Sequence, residues 1–173
     1  MKVAVIVLAG VSAVALIAAA VLAGLYFTDD SDSSVAAAPC GDRMYGHVST
    51  LKPDGDGYRM RFDPAWFTSG VTANEAAAED GAVEPGQPVP NDNYVVDESH
   101  RLLTYLVPSD AHVTVLTRNG DPANFGATKV TVAQLADLVA GQKPVDLFEP
   151  LDSGVWIAVN VDTICSVDQQ YRP

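Results

Sequence analysis

The stretch Gly46–Phe62, GHVSTLKPDGDGYRMRF, decides the fold of this chain. Its second half alternates without a fault, because Tyr58, Met60 and Phe62 are apolar and the residues between them are arginines. Such alternation is typical of a strand with one buried face. The turn-forming residues Pro53–Gly57 separate this strand from a preceding mixed segment. The stretch therefore predicts a β-hairpin that contributes one face to a hydrophobic core.

Further along the chain, capping signals predict two short helices. Thr72–Glu75 and Thr131–Gln134 both have the spacing of a capping box, and Gly81 and Gly141 follow where the helices would end. The remaining predicted strands are Tyr94–Val96, Leu102–Val107, Val113–Leu116, Val155–Val159 and Thr163–Val167. About seven short strands joined by turns predict a mainly β domain with two short helices, an α+β arrangement. A small β-barrel, OB-like barrels included, or a sandwich-like domain fits this pattern.

The stretch Pro90–Pro108, PNDNYVVDESHRLLTYLVP, holds a charged centre between two apolar segments. We interpret it as a hairpin whose tip carries the weak surface-site candidates Asp97, Glu98, His100 and Arg101. Together with the serine between them, these residues include the types found in a hydrolase triad. A triad, however, is assembled from separate parts of a fold, whereas neighbours in a hairpin tip point apart. The sequence therefore favours a solvated turn over an active site.

Other short patterns do not identify a reaction. Asp152–Gly154 matches one half of an aspartic protease site, which needs two such carboxylates. Asp54–Gly57 lacks the further ligands of an EF-hand loop, and the three histidines do not have zinc-site spacing. We therefore predict no catalytic residue, no cofactor and no metal ligand, and a non-enzymatic role is favoured.

The first residues differ in character from the rest. Val3–Phe27 is a nearly continuous apolar stretch, and about 20 such residues are enough to cross a bilayer as a helix. Lys2 precedes it and three aspartates follow it, which favours a cytoplasmic amino terminus and a carboxy-terminal part outside the cell membrane. We expect a single-pass anchor over residues 1–28 that contacts the lipid bilayer through residues 3–27. Secretion after cleavage near Ala36–Ala38 is the alternative.

Two further segments follow the predicted anchor. Residues 29–39 are short, polar and acidic, and we interpret them as a flexible tether. Residues 40–173 have the length of one extracytoplasmic β-rich domain. Of the 22 acidic and ten basic residues, only Lys2 lies before residue 29, so these two segments together carry a net charge of −13 (9 − 22). Such acidity argues against nucleic acid as a partner, because nucleic-acid binding requires clustered basic side chains.

The chain has two cysteines, Cys40 and Cys165, one near each end of the predicted domain. We predict that they form a disulfide, which would persist outside the cytoplasm. The alternative is two unpaired thiols, because pairing cannot be deduced from sequence alone.

Three stretches resemble a group of uncharacterised, membrane-anchored or secreted proteins of high-GC Gram-positive bacteria. They are RFDPAWFTSGVTANEAAAEDG (Arg61–Gly81), EPGQPVPNDNYVVDESHRLLTYLVP (Glu84–Pro108) and DQQYRP (Asp168–Pro173). The resemblance implies a location in the cell envelope, and it carries over no activity, cofactor or catalytic residue. We expect an envelope domain that binds a partner protein or an envelope component without catalysis. The alternative is a domain that binds a small ligand, or hydrolyses one, at a site built from loops.

Overall fold

The computed structural model describes residues 40–97, 101–118 and 124–172. The structure described in these ranges is mainly β with two short helices, which confirms the predicted fold class. Its strands are β1 (Arg43–Asp54), β2 (Gly57–Ser69), β3 (Asn93–Val96), β4 (Leu103–Pro108), β5 (His112–Arg118), β6 (Phe125–Val130), β7 (Val155–Asn160) and β8 (Thr163–Gln169). Its helices are α1 (Gly70–Glu79) and α2 (Val132–Val139), and short 3₁₀ turns occur at Pro90–Asp92 and Leu151–Ser153.

Five of the strands close into a barrel. β1 pairs antiparallel with β2 along one edge and with β7 along the other. β2 continues to β4 and β7 continues to β8, again in antiparallel pairs. The ring closes where β4 and β8 run parallel, with Leu106 opposite Thr163. Of the predicted alternatives, the structure is therefore a barrel and not a sandwich.

A second hairpin extends from this barrel. β5 pairs parallel with β8, from His112 opposite Ser166 to Thr114 opposite Asp168. β6 pairs antiparallel with β5 and forms the outer edge of the sheet. The sequence analysis missed β6, because FGATKV has small residues in place of a strong apolar alternation.

The core fills the interior of the barrel. The alternation in β2 buries Met60 and Phe62 completely, as the sequence predicted. Helix α2 adds Val132 and Leu135, which are also fully buried and belong to the same cluster. The other fully or almost fully buried members are Val107, Val113, Val115, Val155, Ile157, Ile164 and Val167.

The two predicted capping boxes have different outcomes. At α2 the capping box is present. The backbone N–H of Gln134 donates to Thr131 Oγ1 at 3.1 Å, and the backbone N–H of Thr131 donates to Gln134 Oε1 at 2.9 Å. At α1 the box is wrong, because the helix already begins at Gly70 with Ser69 as its N-cap. The predicted ends are confirmed, since Gly81 and Gly141 have φ angles of +70° and +82° just after the two helices.

Strand β2 is longer than predicted and pairs with two strands in succession. The alternation that identifies it in the sequence ends at Phe62, but the strand continues through Pro64 to Ser69. Its first half pairs with β4 up to Phe62 and its second half pairs with β3 from Trp66 onward. Proline is tolerated in a strand where a ladder hydrogen bond is not required, and Pro64 lies in the gap between these two ladders.

The predicted hairpin between β3 and β4 is consequently wrong. Both strands run antiparallel to β2, so they lie one after the other in the same direction along its edge. The charged segment between Asp97 and Arg101 therefore lies in sequence between two strands that run in the same direction.

The described residues contain no helix that is long and apolar enough to cross a membrane. The predicted anchor, residues 1–28, and the predicted tether, residues 29–39, lie outside the described ranges.

Candidate functional site

The predicted surface-site residues lie in the connection between β3 and β4. Asp97 directly follows β3 and is exposed, and Arg101 is exposed two residues before β4 begins. Glu98 and His100 lie outside the described residues. Of the four candidate residues, the structure therefore describes only Asp97 and Arg101, and β3 and β4 do not pair with each other among the described strands.

A more coherent set of side chains lies on the outer surface of β1, β2 and β4. Lys52 of β1 is opposite Arg59 of β2, which is itself opposite Leu106 of β4. One row further along β2, Arg61 is opposite Thr104 of β4. Opposed residues on neighbouring strands project to the same side, with Cβ atoms about 4.5–5.5 Å apart. These five residues are all exposed, and we refer to them as the basic face.

The charges of the basic face are only partly neutralised within the protein. Arg59 donates from Nε and Nη2 to Oδ2 of Asp54, at 2.8 and 2.6 Å. Arg61 donates from Nη1 to the neutral Thr104 Oγ1 at 3.2 Å. The salt bridges of the described residues join Arg43, Arg59 and Arg118 to aspartates and involve neither Lys52 nor Arg61. Two cationic groups therefore remain available to an anionic ligand.

The basic face has an apolar border at the turn between β7 and β8. Leu106 is 44% exposed, and its backbone N–H donates to the carbonyl of Asp162 in this turn at 2.9 Å. Val161, at the tip, is 90% exposed and has a φ angle of +60°. A β-branched residue rarely adopts a positive φ angle, because its side chain is crowded by the backbone. The protein thus keeps an exposed apolar side chain in an unfavourable backbone conformation beside its cationic side chains.

Replacing Val161 with glycine is expected to raise the free energy of unfolding by about 1 kcal/mol. The left-handed conformation costs an L-residue roughly 1–2 kcal/mol, and glycine avoids this cost. Part of the stabilisation is offset because glycine has more conformational freedom in the unfolded chain. Urea denaturation measures the change. Val161→Ala is the matched variant, since it removes the branched side chain but keeps Cβ, and it should recover less than half of the gain. A glycine variant no more stable than the alanine variant would contradict the assignment of strain to this residue.

A groove of about 630 Å³ lies elsewhere, between the end of α2, the loop that follows it and Arg118. Arg118 donates to the carbonyl oxygens of Leu147 and Phe148, at 2.9 and 3.2 Å. Its guanidinium also lies 5.7 Å from the centre of the Phe148 ring, which stacks on Phe125 at 4.5 Å between ring centres. The guanidinium therefore binds the backbone that forms the wall of the groove, and its charge is shared with Asp146 in a salt bridge at 3.3 Å. For an anionic ligand, the basic face is the better candidate.

The two cysteines lie close enough to influence each other. Cys40 is exposed and Cys165 is half-buried, and both are free thiols in the structure. The pKa of the Cys165 thiol is raised above its ordinary value, first by a hydrogen bond with the Cys40 thiol and then by burial and the charge of Cys40. The sequence analysis named this pair, and the structure brings its two members into contact range.

No group of three or more histidine, cysteine or acidic side chains in the described ranges could hold a metal ion. The basic face itself was missed by sequence reasoning. The alternation of β2 places Arg59 and Arg61 on its solvent-facing side, and this pattern was the part of the basic face that the sequence could have revealed. Adding Lys52 and Leu106 to them requires the registers of two strand pairs, which are not visible in the sequence.

Comparison with protein-family models gives no match, and comparisons with curated proteins and with solved structures find no significant similarity.

Proposed function

We propose that this chain is a membrane-anchored, non-enzymatic domain outside the cytoplasm whose basic face binds an anionic saccharide polymer of the cell envelope. The apolar residues 3–27 support the anchor and its orientation. One observation carries the binding proposal: three cationic side chains of a strongly acidic domain lie together on neighbouring strands.

The charge distribution supports a ligand confined to this face. The part of the chain beyond the predicted anchor carries nine basic and 22 acidic residues, so most of its surface repels an anionic polymer. Arg61 offers a planar fork of N–H donors suited to carboxylate and phosphate groups, and Lys52 adds a compact positive charge. Arg59 lies next to both residues, and its charge is partly neutralised by the salt bridge with Asp54.

The apolar border supports a saccharide ligand. Sugar rings carry C–H faces as well as polar groups, and an anionic saccharide therefore combines apolar and charged surfaces in one chain. Leu106, which is opposite Arg59, and Val161, in the turn that the Leu106 backbone contacts, supply exposed apolar surface at the border of the basic face. A ligand lying along β4 toward the β7–β8 turn would contact both kinds of residue.

The barrel connectivity supports the same face, and we assign it to the OB type. An OB-fold is a five-stranded barrel that binds oligonucleotides and oligosaccharides across its second and third strands, between the first and last hairpin turns. Here the second and third barrel strands are β2 and β4, which carry most of the basic face. The two turns are Gly55–Asp56 and Val161–Asp162. This support comes from the architecture of the fold, and the charged residues supply the chemistry.

Reversing the charges of Lys52 and Arg61 tests the proposal. The full chain in detergent micelles should bind a dextran sulfate matrix and not uncharged dextran, and added salt should weaken the binding. The double variant Lys52→Glu, Arg61→Glu should bind the charged matrix about tenfold more weakly or worse, since each lost ionic contact contributes on the order of 1 kcal/mol. Retention at increasing salt concentration measures the difference.

The matched control is Lys129→Glu with Lys143→Glu, two exposed lysines outside the basic face. This control changes the net charge by the same amount and should leave binding within about twofold, as expected for charges that do not touch the ligand. Equal losses in both double variants would show that binding depends on total charge alone. Absence of binding by the unmodified chain would reject the proposed ligand class.

A further inference from the structure

An irregularity in the β7–β8 ladder determines the position of Cys165. Ala158 is opposite Ser166, whereas the next residue of β7, Val159, is opposite Ile164. Cys165 is therefore the extra residue of a β-bulge. A bulge leaves one residue outside the regular pairing and redirects its side chain, so the local ladder presents Cys165 differently from its neighbours in β8.

The beginning of the described chain runs along the other edge of β7 at the same level. Arg43 is opposite Ala158, and the Val159 amide donates to the carbonyl of Asp42 at 3.1 Å. Gly41 lies so close that a Cβ on it would be 2.8 Å from the carbonyl oxygen of Val159. Cys40 precedes this contact by one residue. The pairing of β1 with β7 places Cys40 near Ala158 and Val159, and the pairing of β7 with β8 places Cys165 near the same two residues.

We propose that Cys40 and Cys165 are a site of oxidative modification that forms an intramolecular disulfide, with Cys40 as the attacking cysteine and Cys165 as the resolving cysteine. The proposal is independent of the anionic ligand at the basic face. The bond joins the residue at which the predicted tether enters the domain to the last strand, β8. Mechanical force on the amino-terminal segment would then be transmitted to β8 through a covalent bond and would not separate β1 from β7.

The order of attack follows from exposure. The oxidant is a disulfide-bearing molecule or protein, and its S–S bond is attacked by the Cys40 thiolate, because Cys40 is exposed. One thiolate of the oxidant leaves and a mixed disulfide forms on Cys40. The Cys165 thiolate then attacks the Cys40 sulfur and displaces the second thiolate of the oxidant. In total, two electrons and two protons pass from the cysteine pair to the oxidant.

The chemistry of Cys165 suits the second step. Its pKa is raised mainly by the hydrogen bond with the Cys40 thiol, so little thiolate forms at Cys165 while Cys40 is reduced. Once Cys40 is in a mixed disulfide, this hydrogen bond and the charge of Cys40 are lost, and burial remains. The pKa of Cys165 then falls toward its ordinary value just when its thiolate is required.

The first test identifies the bond. The full chain is purified from membranes under conditions that block free thiols, digested without reduction and examined by mass spectrometry. A peptide pair joined through Cys40 and Cys165 in most molecules is the expected result, and its absence from Cys40→Ser, Cys165→Ser protein is the control. Two alkylated free thiols, or a bond from either cysteine to a second chain, would overturn the proposal.

The second test determines the order. A short pulse of iodoacetamide on the reduced, folded full chain should label Cys40 about tenfold faster than Cys165, because thiolate content and access govern the rate. The same pulse in concentrated urea should label both at similar rates. Equal labelling of the two cysteines in the folded chain, or faster labelling of Cys165, would overturn the assigned roles.

Discussion

Reduction of the proposed Cys40–Cys165 disulfide is expected to lower the free energy of unfolding of the full chain by about 4–5 kcal/mol. Nearly the whole described chain lies within the loop that this bond would close. Breaking the bond gives the unfolded chain many more conformations, and the chain-entropy cost grows with loop length. Parallel urea titrations with and without reductant, followed by tryptophan fluorescence, measure the change as a shift in the transition midpoint.

The double variant Cys40→Ser, Cys165→Ser provides the control for this measurement. It should unfold near the midpoint of the reduced protein, and reductant should not change that midpoint. The native contacts around the bond stay the same in this comparison, because the β1–β7 and β7–β8 ladders do not involve the sulfur atoms. An identical midpoint for the unmodified chain with and without reductant would mean that no such bond contributes to stability.

Local features of this fold were predictable from the sequence. The hairpin of β1 and β2 follows from period-two alternation around a Pro-Asp-Gly turn, and both signals lie within one short stretch. The capping box at Thr131 succeeded for a similar reason, since its hydrogen bonds join residues three positions apart. At α1 the same pattern was off by three residues, because Gly70 already begins the helix and Ser69 caps it.

Features that depend on pairs distant in sequence were not predictable in this way. Barrel closure brings β4 against β8 in parallel, and nothing in either segment identifies the other. The hairpin assigned to β3 and β4 failed because the sequence does not reveal that β2 is long enough to pair with both. The bulge at Cys165 likewise appears only once the register of β7 against β8 is known.

The DQQYRP stretch, which marked the resemblance, has a structural role in the described residues. Gln169 is buried, accepts from the Leu116 amide at 2.9 Å and donates to the carbonyl oxygens of Glu149 and Pro150. The neighbouring Gln170 accepts from Trp156 Nε1 at 2.7 Å. The buried side-chain amide of Gln169 forms hydrogen bonds that backbone groups on two other segments require, so its presence is explained by the fold. These residues of the stretch therefore have a structural explanation, which gives no information about a ligand.

Replacing Phe62 with alanine is expected to lower the free energy of unfolding by about 3–5 kcal/mol, with the disulfide state held constant. Phe62 is completely buried in the barrel, and its ring packs edge-on against Tyr105 at 6.3 Å between ring centres. The ring also lies against Gly46 of β1, where a Cβ would come within 2.8 Å of Phe62 Cζ. Alanine would leave a cavity between β1, β2 and β4 that their ladders prevent from collapsing. Urea denaturation with the bond intact measures the loss.

Trp66→Ala is the matched control, because Trp66 is a larger aromatic residue on the same strand but is 67% exposed. Its removal should change the free energy of unfolding by no more than about 0.5–1 kcal/mol, as is usual for surface positions. The contrast depends on the switch of β2 from β4 to β3 between Phe62 and Trp66, which takes the strand out of the barrel wall. If the two variants lost similar stability, Trp66 would have to pack against a surface as closed as the barrel interior, and the assignment of Phe62 but not Trp66 to the core would be wrong.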